Sequence, residues 1–193
     1  WIEDKKSPFY ITQRLGKGEK QFNMIKLRSM LVDADKSGVD STSSNDKRIT
    51  GVGRFIRKYK LDELTQLWNV LLGDMSLVGP RPNVKRETDL YTLEEKKLLS
   101  VKPGITDFSS IVFSDEGDIL KDQIDPDIAY NQLIRPGKSM LGIFYIENRS
   151  FLLDIKLIFL TIVAIVSKEK ALVNLVQILR NCKANSLILQ IAS

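Results

Sequence analysis

The chain has 193 residues, 43% hydrophobic and 27% charged, a globular balance that permits a buried core and excludes wholesale disorder. With no histidine and a single cysteine, Cys182, it lacks the groups for Ser-His-Asp or Cys-His catalysis, disulfide scaffolds and the usual zinc or iron–sulfur sites; a metal here would be a hard, oxygen-bound ion such as magnesium. The net charge of +5 is uneven, since residues 1–86 carry 17 Lys/Arg against 10 Asp/Glu, so the first half should meet an anion: a phosphorylated small molecule, nucleic acid or an anionic membrane surface.

The sequence opens at Trp1 rather than Met and reads as the body of a longer protein. Neither a signal peptide nor a run of 18 apolar residues is visible in it. Residues 9–15 (FYITQRL) and 21–28 (QFNMIKLR) alternate as strands do around Gly16-Lys17-Gly18. This predicts a hairpin with Phe22, Met24, Lys26 and Arg28 on one face, the two cations being either a solvated edge or anion ligands. Residues 33–47 form a polar loop. Asp33, Asp35, Ser37 and Gly38 imitate the start of a calcium-binding loop, but Ser44 stands where the bidentate Glu belongs, so no calcium site is expected.

In residues 48–60, Ile49, Val52, Phe55, Ile56 and Tyr59 fall at helical spacing, with Arg54, Arg57, Lys58 and Lys60 around them. Leu64, Leu67, Trp68, Leu71 and Leu72 make a second helical stripe that stops at Gly73. Met75–Val78 is a short extended piece, and Gly79-Pro80-Arg81-Pro82 is a stiff turn holding Arg81 between two prolines. Further on we expect a helix over 84–100, a strand over 105–112, loop over 114–140 and a strand over 141–146. The apolar segment 151–166 is interrupted by Asp154 and Lys156. Its clean run Leu157–Val166 covers about 15 Å as a helix, half a bilayer core, so it is either buried or lies in a membrane interface. An amphipathic helix follows from Lys168. The expected class is α/β of the α+β type: a small sheet or hairpin surrounded by helices, several amphipathic and membrane-interfacial. One domain is expected, with a core of about residues 1–166 and a helical tail over 167–193.

The candidate chemistry centres on Asp62 and Glu63, adjacent carboxylates at a helix start. Such a pair caps a helix and suits its positive end. The same setting makes an ionised aspartate a competent oxygen nucleophile, while a neighbouring Glu can hold magnesium against a diphosphate. Arg57 and Arg81 have the forked geometry that clamps phosphate oxygens.

The run Lys60–Pro82 (KLDELTQLWNVLLGDMSLVGPRP) closely resembles the signature of bacterial sugar transferases, the monotopic phosphoglycosyl transferases. The resemblance continues through Gln13-Arg14-Leu15-Gly16, Lys26-Leu27-Arg28-Ser29-Met30, Asp46–Thr50, Val101–Thr106 and Tyr145–Ser150 with Leu153–Lys156, covering about residues 1–166. It implies an enzyme that moves a sugar-1-phosphate from a UDP-sugar to a polyprenyl phosphate such as undecaprenyl phosphate, releases UMP and starts glycoconjugate assembly. It implies Asp62 as the nucleophile of a covalent phosphosugar intermediate, Glu63 as the magnesium ligand, Arg57 and Arg81 near phosphate, and Lys26 and Arg28 in a weaker anion-binding role. It also implies a preceding membrane helix, membrane lipid as a partner and the cytoplasmic face of the bacterial inner membrane as the location. The family usually has Pro where Thr65 stands, Gly where Asp107 stands, and Lys or a similar residue where Gly51 stands. Thr65 is expected to loosen the helix start, Asp107 to add a charge near the nucleotide, and Gly51 to weaken its helix by about 1 kcal/mol relative to Ala. Competing readings are an inactive membrane-surface scaffold of the same fold and a basic nucleic-acid-binding module built on 48–60 and 62–72. The second is disfavoured because Asp62 and Glu63 would repel phosphate at the recognition helix.

Overall fold

The computed structural model describes residues 5–39 and 41–193; Trp1, with which the sequence opens, lies outside them. The predicted hairpin is present. Strands β1 (Phe9–Leu15) and β2 (Gln21–Leu27) pair antiparallel from Phe9 opposite Leu27 to Leu15 opposite Gln21. Gly18 closes the turn at φ 65°, a conformation that costs glycine nothing. On the inner face of β2, Phe22 and Met24 are buried against Met75. The strand period then carries Lys26 on the same face into a cleft.

Helix α1 (Gly51–Lys58) is capped by Thr50, whose hydroxyl accepts from the Gly53 N–H at 2.9 Å. Gly51 is its first residue, where a missing Cβ matters less than in a helix interior. Gly53 is the constrained glycine: a Cβ there would stand 1.9 Å from the Ser29 carbonyl oxygen. Lys60 has φ 55°, the left-handed region, and breaks the chain sharply into a 3₁₀ segment, Leu61–Gln66, followed by α2 (Leu67–Leu71). The second helical stripe thus begins as a 3₁₀ turn, and its apolar side faces outward. Trp68, Leu71 and Leu72 are 58%, 79% and 63% exposed, whereas Asp62, Gln66 and Asn69 are buried.

The polar inner side of this segment is bonded to β2. The Asn69 side chain accepts from the Ile25 N–H (3.1 Å) and donates to the Asn23 carbonyl (2.8 Å), and the Thr65 hydroxyl donates to the Ile25 carbonyl (2.9 Å). Thr65 therefore ties the segment down where a loosened start was expected, because its hydroxyl supplies a bond that proline has no group to make.

Strand β3 (Ser76–Val78) follows, then α3 (Lys85–Thr88), and β4 (Gly104–Thr106) pairs parallel with β3. The strand expected over 105–112 ends at Thr106. Asp107, buried, accepts from the Ser109 hydroxyl and from the hydroxyl and N–H of Ser110, and so caps α4 (Phe108–Val112). Burial pushes its carboxyl above the usual range against those bonds. Its oxygens are taken up by this local capping. The helix expected over 84–100 is instead α3 and a 3₁₀ turn, Glu95–Ser100, with the reciprocal Thr92–Glu95 bonds of a capping box between them.

The loop expected over 114–140 contains α5 (Glu116–Ile119), α6 (Pro126–Ala129) and a π turn, Tyr130–Ile134, leading into α7 (Arg135–Asn148). That helix overturns the strand expected at 141–146: Leu141, Phe144 and Tyr145 bury one helical face, and a short apolar run carries no period of its own. Helices α8 (Phe151–Val166), α9 (Lys168–Asn181) and α10 (Ser186–Ile191) complete the chain. The main core joins Phe108 and Ile111 to Leu141, Leu153, Leu157, Leu175 and Leu179. The opposite side of α8 leaves Phe159, Ile162 and Val166 exposed. Among the described residues no helix is long and apolar enough to cross a membrane. The architecture is mixed α/β, two small two-stranded sheets within a helical body.

Candidate active site

The Lys60 turn lowers Asp62 into the floor of a cleft between β2, α1, the Gly79–Pro82 turn and α5. A non-glycine residue in the left-handed region costs about 1–2 kcal/mol, and such strain concentrates at working sites. Asp62 is 8% exposed, and its Oδ1 has no hydrogen-bond partner among the described residues. A buried carboxylate oxygen left unpaired is costly to the fold and free for chemistry.

Glu63 is engaged through one oxygen by contrast. The Arg81 Nη2 lies 2.8 Å from its Oε1 and the Lys26 Nζ 4.0 Å from the same atom. Burial pushes the Glu63 carboxyl up, but Arg81, Lys26 and Lys60 outweigh it and hold it at about 2, so it is ionised at any physiological pH. The Arg81 guanidinium is held above its ordinary value, chiefly by Glu63. Burial, then Arg81, push Lys26 down to about 8 against the pull of Glu63 and Asp62. Burial lowers Lys60 as well.

Of the residues singled out from sequence, the fold brings Lys26, Arg57, Asp62, Glu63 and Arg81 to one cleft. The Arg57 side chain has no hydrogen bond or ion pair with another described residue, which leaves its fork open to a ligand. Arg28 sits apart. Its Nε donates to the Ser7 carbonyl at 2.7 Å, and it lines an adjoining cavity. Arg81 is engaged by Glu63 rather than poised as a free clamp. Sequence reading missed Lys60, although it lies two residues before Asp62, and the Glu116–Lys138 ion pair on the far wall. That pair bridges 22 positions between unrelated segments and leaves no local signal.

For magnesium, the relevant observation is the donor set. Asp62 and Glu63 present carboxylate oxygens only, one atom unpaired, at the floor of an open cleft. Magnesium is commonly held by one or two carboxylates with substrate phosphates completing the sphere, and these residues fit that mode. No cluster of three or more acidic or sulfur ligands occurs among the described residues.

The cleft thus brings a buried carboxylate oxygen without a partner among the described residues together with Lys26, Arg57 and Arg81. Residues 1–168 match the family model described as bacterial sugar transferase, and the chain belongs to that family. It is similar to the UDP-N-acetylgalactosamine-undecaprenyl-phosphate N-acetylgalactosaminephosphotransferase of Aeromonas hydrophila, at 32% identity over 166 residues, 83% of this chain and 36% of the relative. It is 36% identical over 164 residues to the uncharacterized sugar transferase EpsL of Bacillus subtilis, 84% of this chain and 72% of the relative. It is 45% identical over 112 residues to the undecaprenyl-phosphate galactose phosphotransferase of Salmonella typhimurium, 50% of this chain and 24% of the relative. The chain thus spans about a third of the first relative and a quarter of the last, and the names differ in the sugar.

Proposed function

We propose that the protein transfers a sugar-1-phosphate from a UDP-sugar to undecaprenyl phosphate at the cytoplasmic face of the bacterial inner membrane, through a covalent intermediate on Asp62, and so begins the assembly of a glycoconjugate. The observation that carries this reading is the buried, unpartnered Asp62 Oδ1 beneath Lys26, Arg57 and Arg81, in a chain of the bacterial sugar transferase family.

In the first step an Asp62 oxygen attacks the β-phosphorus of the donor. The bond from that phosphorus to the oxygen bridging the two phosphates breaks, and UMP leaves with the bridging oxygen and its electron pair. In the second step an oxygen of the polyprenyl phosphate attacks the same phosphorus. The Asp62–phosphorus bond breaks, giving the polyprenyl diphosphate sugar and the free carboxylate. Nucleophile and leaving group are anions in both steps, so no proton shuttle is needed, in keeping with a chain without histidine. Arg57 and Lys26 hold the phosphate oxygens. Arg81 fixes Glu63 beside Asp62. Asp62 and Glu63 would hold magnesium, which when bound neutralises charge on the donor's phosphates.

The outward face of α2 and α8 supports a membrane-interfacial position: Trp68, Leu71, Leu72, Phe159 and Val166 offer an apolar surface beside a basic half. The test is UMP release by full-length protein in detergent with undecaprenyl phosphate, magnesium and a panel of UDP-sugars. Release should occur with one or a few donors and be abolished by Asp62→Asn and by a chelator. Undiminished release by Asp62→Asn would refute the covalent course. Folded, membrane-bound protein releasing no UMP from any donor would favour the scaffold reading.

A further inference from the structure

The cleft has two lobes that meet at Asp62. One, of about 620 Å³, has an apolar wall of Leu64, Leu67, Ile158, Ile162 and Ile165, continuous with the exposed face of α8. The other, of about 800 Å³, runs along the hairpin and is lined by Tyr10, Thr12, Arg14, Asn83, Arg86 and Tyr130. Lys26, Arg57, Asp62, Arg81, Glu116 and Lys138 border both and form the neck between them.

Arg14 is the unexplained group of the second lobe. Its Nη1 donates to the Thr12 hydroxyl (3.0 Å) and the Gln13 carbonyl (3.1 Å), both on its own strand, which fixes the fork. It forms no ion pair with a described residue, and Nε and Nη2 have no partner among them. Burial depresses its pKa; Tyr10 and Glu87 pull the other way, and Arg81 and Arg86 add to the depression. The nearby carboxylate, Glu87, is itself pushed up by burial. A half-buried guanidinium set among other cations, with no carboxylate of a described residue in contact, is unfavourable unless an anion joins it.

We propose that the hairpin lobe holds the nucleotide part of the donor, with Arg14 as a ligand of its phosphate, while the polyprenyl chain uses the apolar lobe. This rests on the transferase reading above. Two in-line displacements at one phosphorus oblige the acceptor oxygen to enter where UMP departed, so both phosphates share the neck. A uridine and a polyprenyl chain have opposite solvation and cannot share what lies beyond it. The hairpin lobe has the volume of a small-molecule site, polar walls and tyrosine rings of the kind a base stacks on. The shared chemistry is phosphate, and its two sources, nucleotide and lipid, are separated by the test.

UDP binding to full-length protein in detergent with magnesium is measured by calorimetry for wild type, Arg14→Gln and Arg14→Lys, alongside the KM for undecaprenyl phosphate. Loss of a charge-assisted fork should weaken UDP binding roughly 10- to 100-fold in Arg14→Gln. Arg14→Lys, which keeps the charge and loses the fork, should recover part of the loss, and the KM for undecaprenyl phosphate should stay within about twofold of wild type. If Arg14→Gln fails to melt cooperatively, Thr12→Val, which unties the fork, replaces it and should weaken UDP binding several-fold. Wild-type protein that binds UDP while folded Arg14 variants bind it equally well overturns the lobe assignment alone, as do equal losses for UDP and undecaprenyl phosphate. Wild-type protein that binds no UDP sinks the transferase reading and the lobe assignment with it.

Discussion

Lys26 offers a sharp test of how the cleft recognises phosphate. It sits 4.0 Å from Glu63 Oε1 with 18% of its side chain exposed, and burial with the repulsion of Arg81 brings it down to about 8. If its ammonium holds donor phosphate, the free enzyme is competent only while Lys26 is protonated. From pH 7 to pH 9 that fraction falls from about 0.9 to about 0.1, so kcat/KM for the UDP-sugar should fall about tenfold on a single alkaline limb near pH 8. The donor's diphosphate has no proton to lose in this range. The groups around Lys26 are Arg81, Glu63, Asp62 and Arg14, and Glu63, held at about 2, stays ionised throughout. Lys60 also titrates below its ordinary value and faces Glu63, so it is the alternative source of a limb. The assay is UMP release at low donor concentration from pH 6.5 to 9.5 for wild type, Lys26→Arg and Lys60→Arg. Lys26→Arg should remove the limb, because a guanidinium keeps its proton, and Lys60→Arg should leave it in place. A flat wild-type profile, or a limb that survives Lys26→Arg, would refute the argument. The same shift has a stability consequence of opposite sense. Between pH 8 and the ordinary lysine value the unfolded chain binds the extra proton, so the ligand-free fold should gain stability from Lys26 as the pH rises through that window.

Three further outcomes follow from the geometry. Asn69→Ala removes both bonds from the edge of β2 at a site 1% exposed and should cost about 2–4 kcal/mol in urea melts; a loss below 0.5 kcal/mol would mean water replaces the amide. Gly104→Ala places a Cβ 2.1 Å from the Gly79 nitrogen, backbone against backbone, so it should destabilise by about 3 kcal/mol or more and lower the thermal midpoint, whereas Gly38→Ala, with open space around it, should show only the smaller strain of its φ of 77°. The double change Leu71→Glu and Leu72→Glu should leave the melt almost unmoved, since both side chains are exposed, yet weaken co-sedimentation with anionic liposomes by about 3 kcal/mol, roughly a hundredfold; unchanged sedimentation would remove α2 from the membrane face.

The legible parts of this fold are those whose signal is local. The β1–β2 hairpin follows from a period of two and a glycine turn, and its face correctly groups Phe22 and Met24 with Lys26. The candidate site was legible for a different reason: spacing left Asp62 open between cap and nucleophile, and only the long motif around it pointed to chemistry. What the sequence hid has physical causes. Along the 3₁₀ segment and α2, Gln66 and Asn69 are buried, Thr65 and Asn69 bond backbone groups of β2, and the leucines face outward, the reverse of the pattern that water alone selects. The left-handed Lys60 has no compositional mark, since a lysine advertises nothing of the kind a glycine does. The run 141–146 is apolar without a period, and only its continuity from Arg135 to Asn148 makes it a helix. Tyr145 and Asp154, drawn together by the motif, turn out to bond one another at 2.7 Å, which makes that stretch a brace between α7 and α8.

The charge of the neck suits the proposed use of one aspartate by two anionic substrates in succession. Without ligand, Lys26, Lys60, Arg57 and Arg81 line one cleft with Asp62 and Glu63, and Arg81 adds to the burial that lowers Lys26 and Lys60. In the covalent course proposed above, bond formation turns the Asp62 carboxylate into a neutral acyl oxygen and places one negative charge on the phosphoryl group attached to it. The charge at the floor is therefore unchanged when UMP departs, and the same cations are again undercompensated. They would attract the second phosphate as they did the first. Removing one cation should then impair both half-reactions, while a side chain confined to one lobe should impair one. That distinction separates Arg57, at the neck, from Arg14, beyond it.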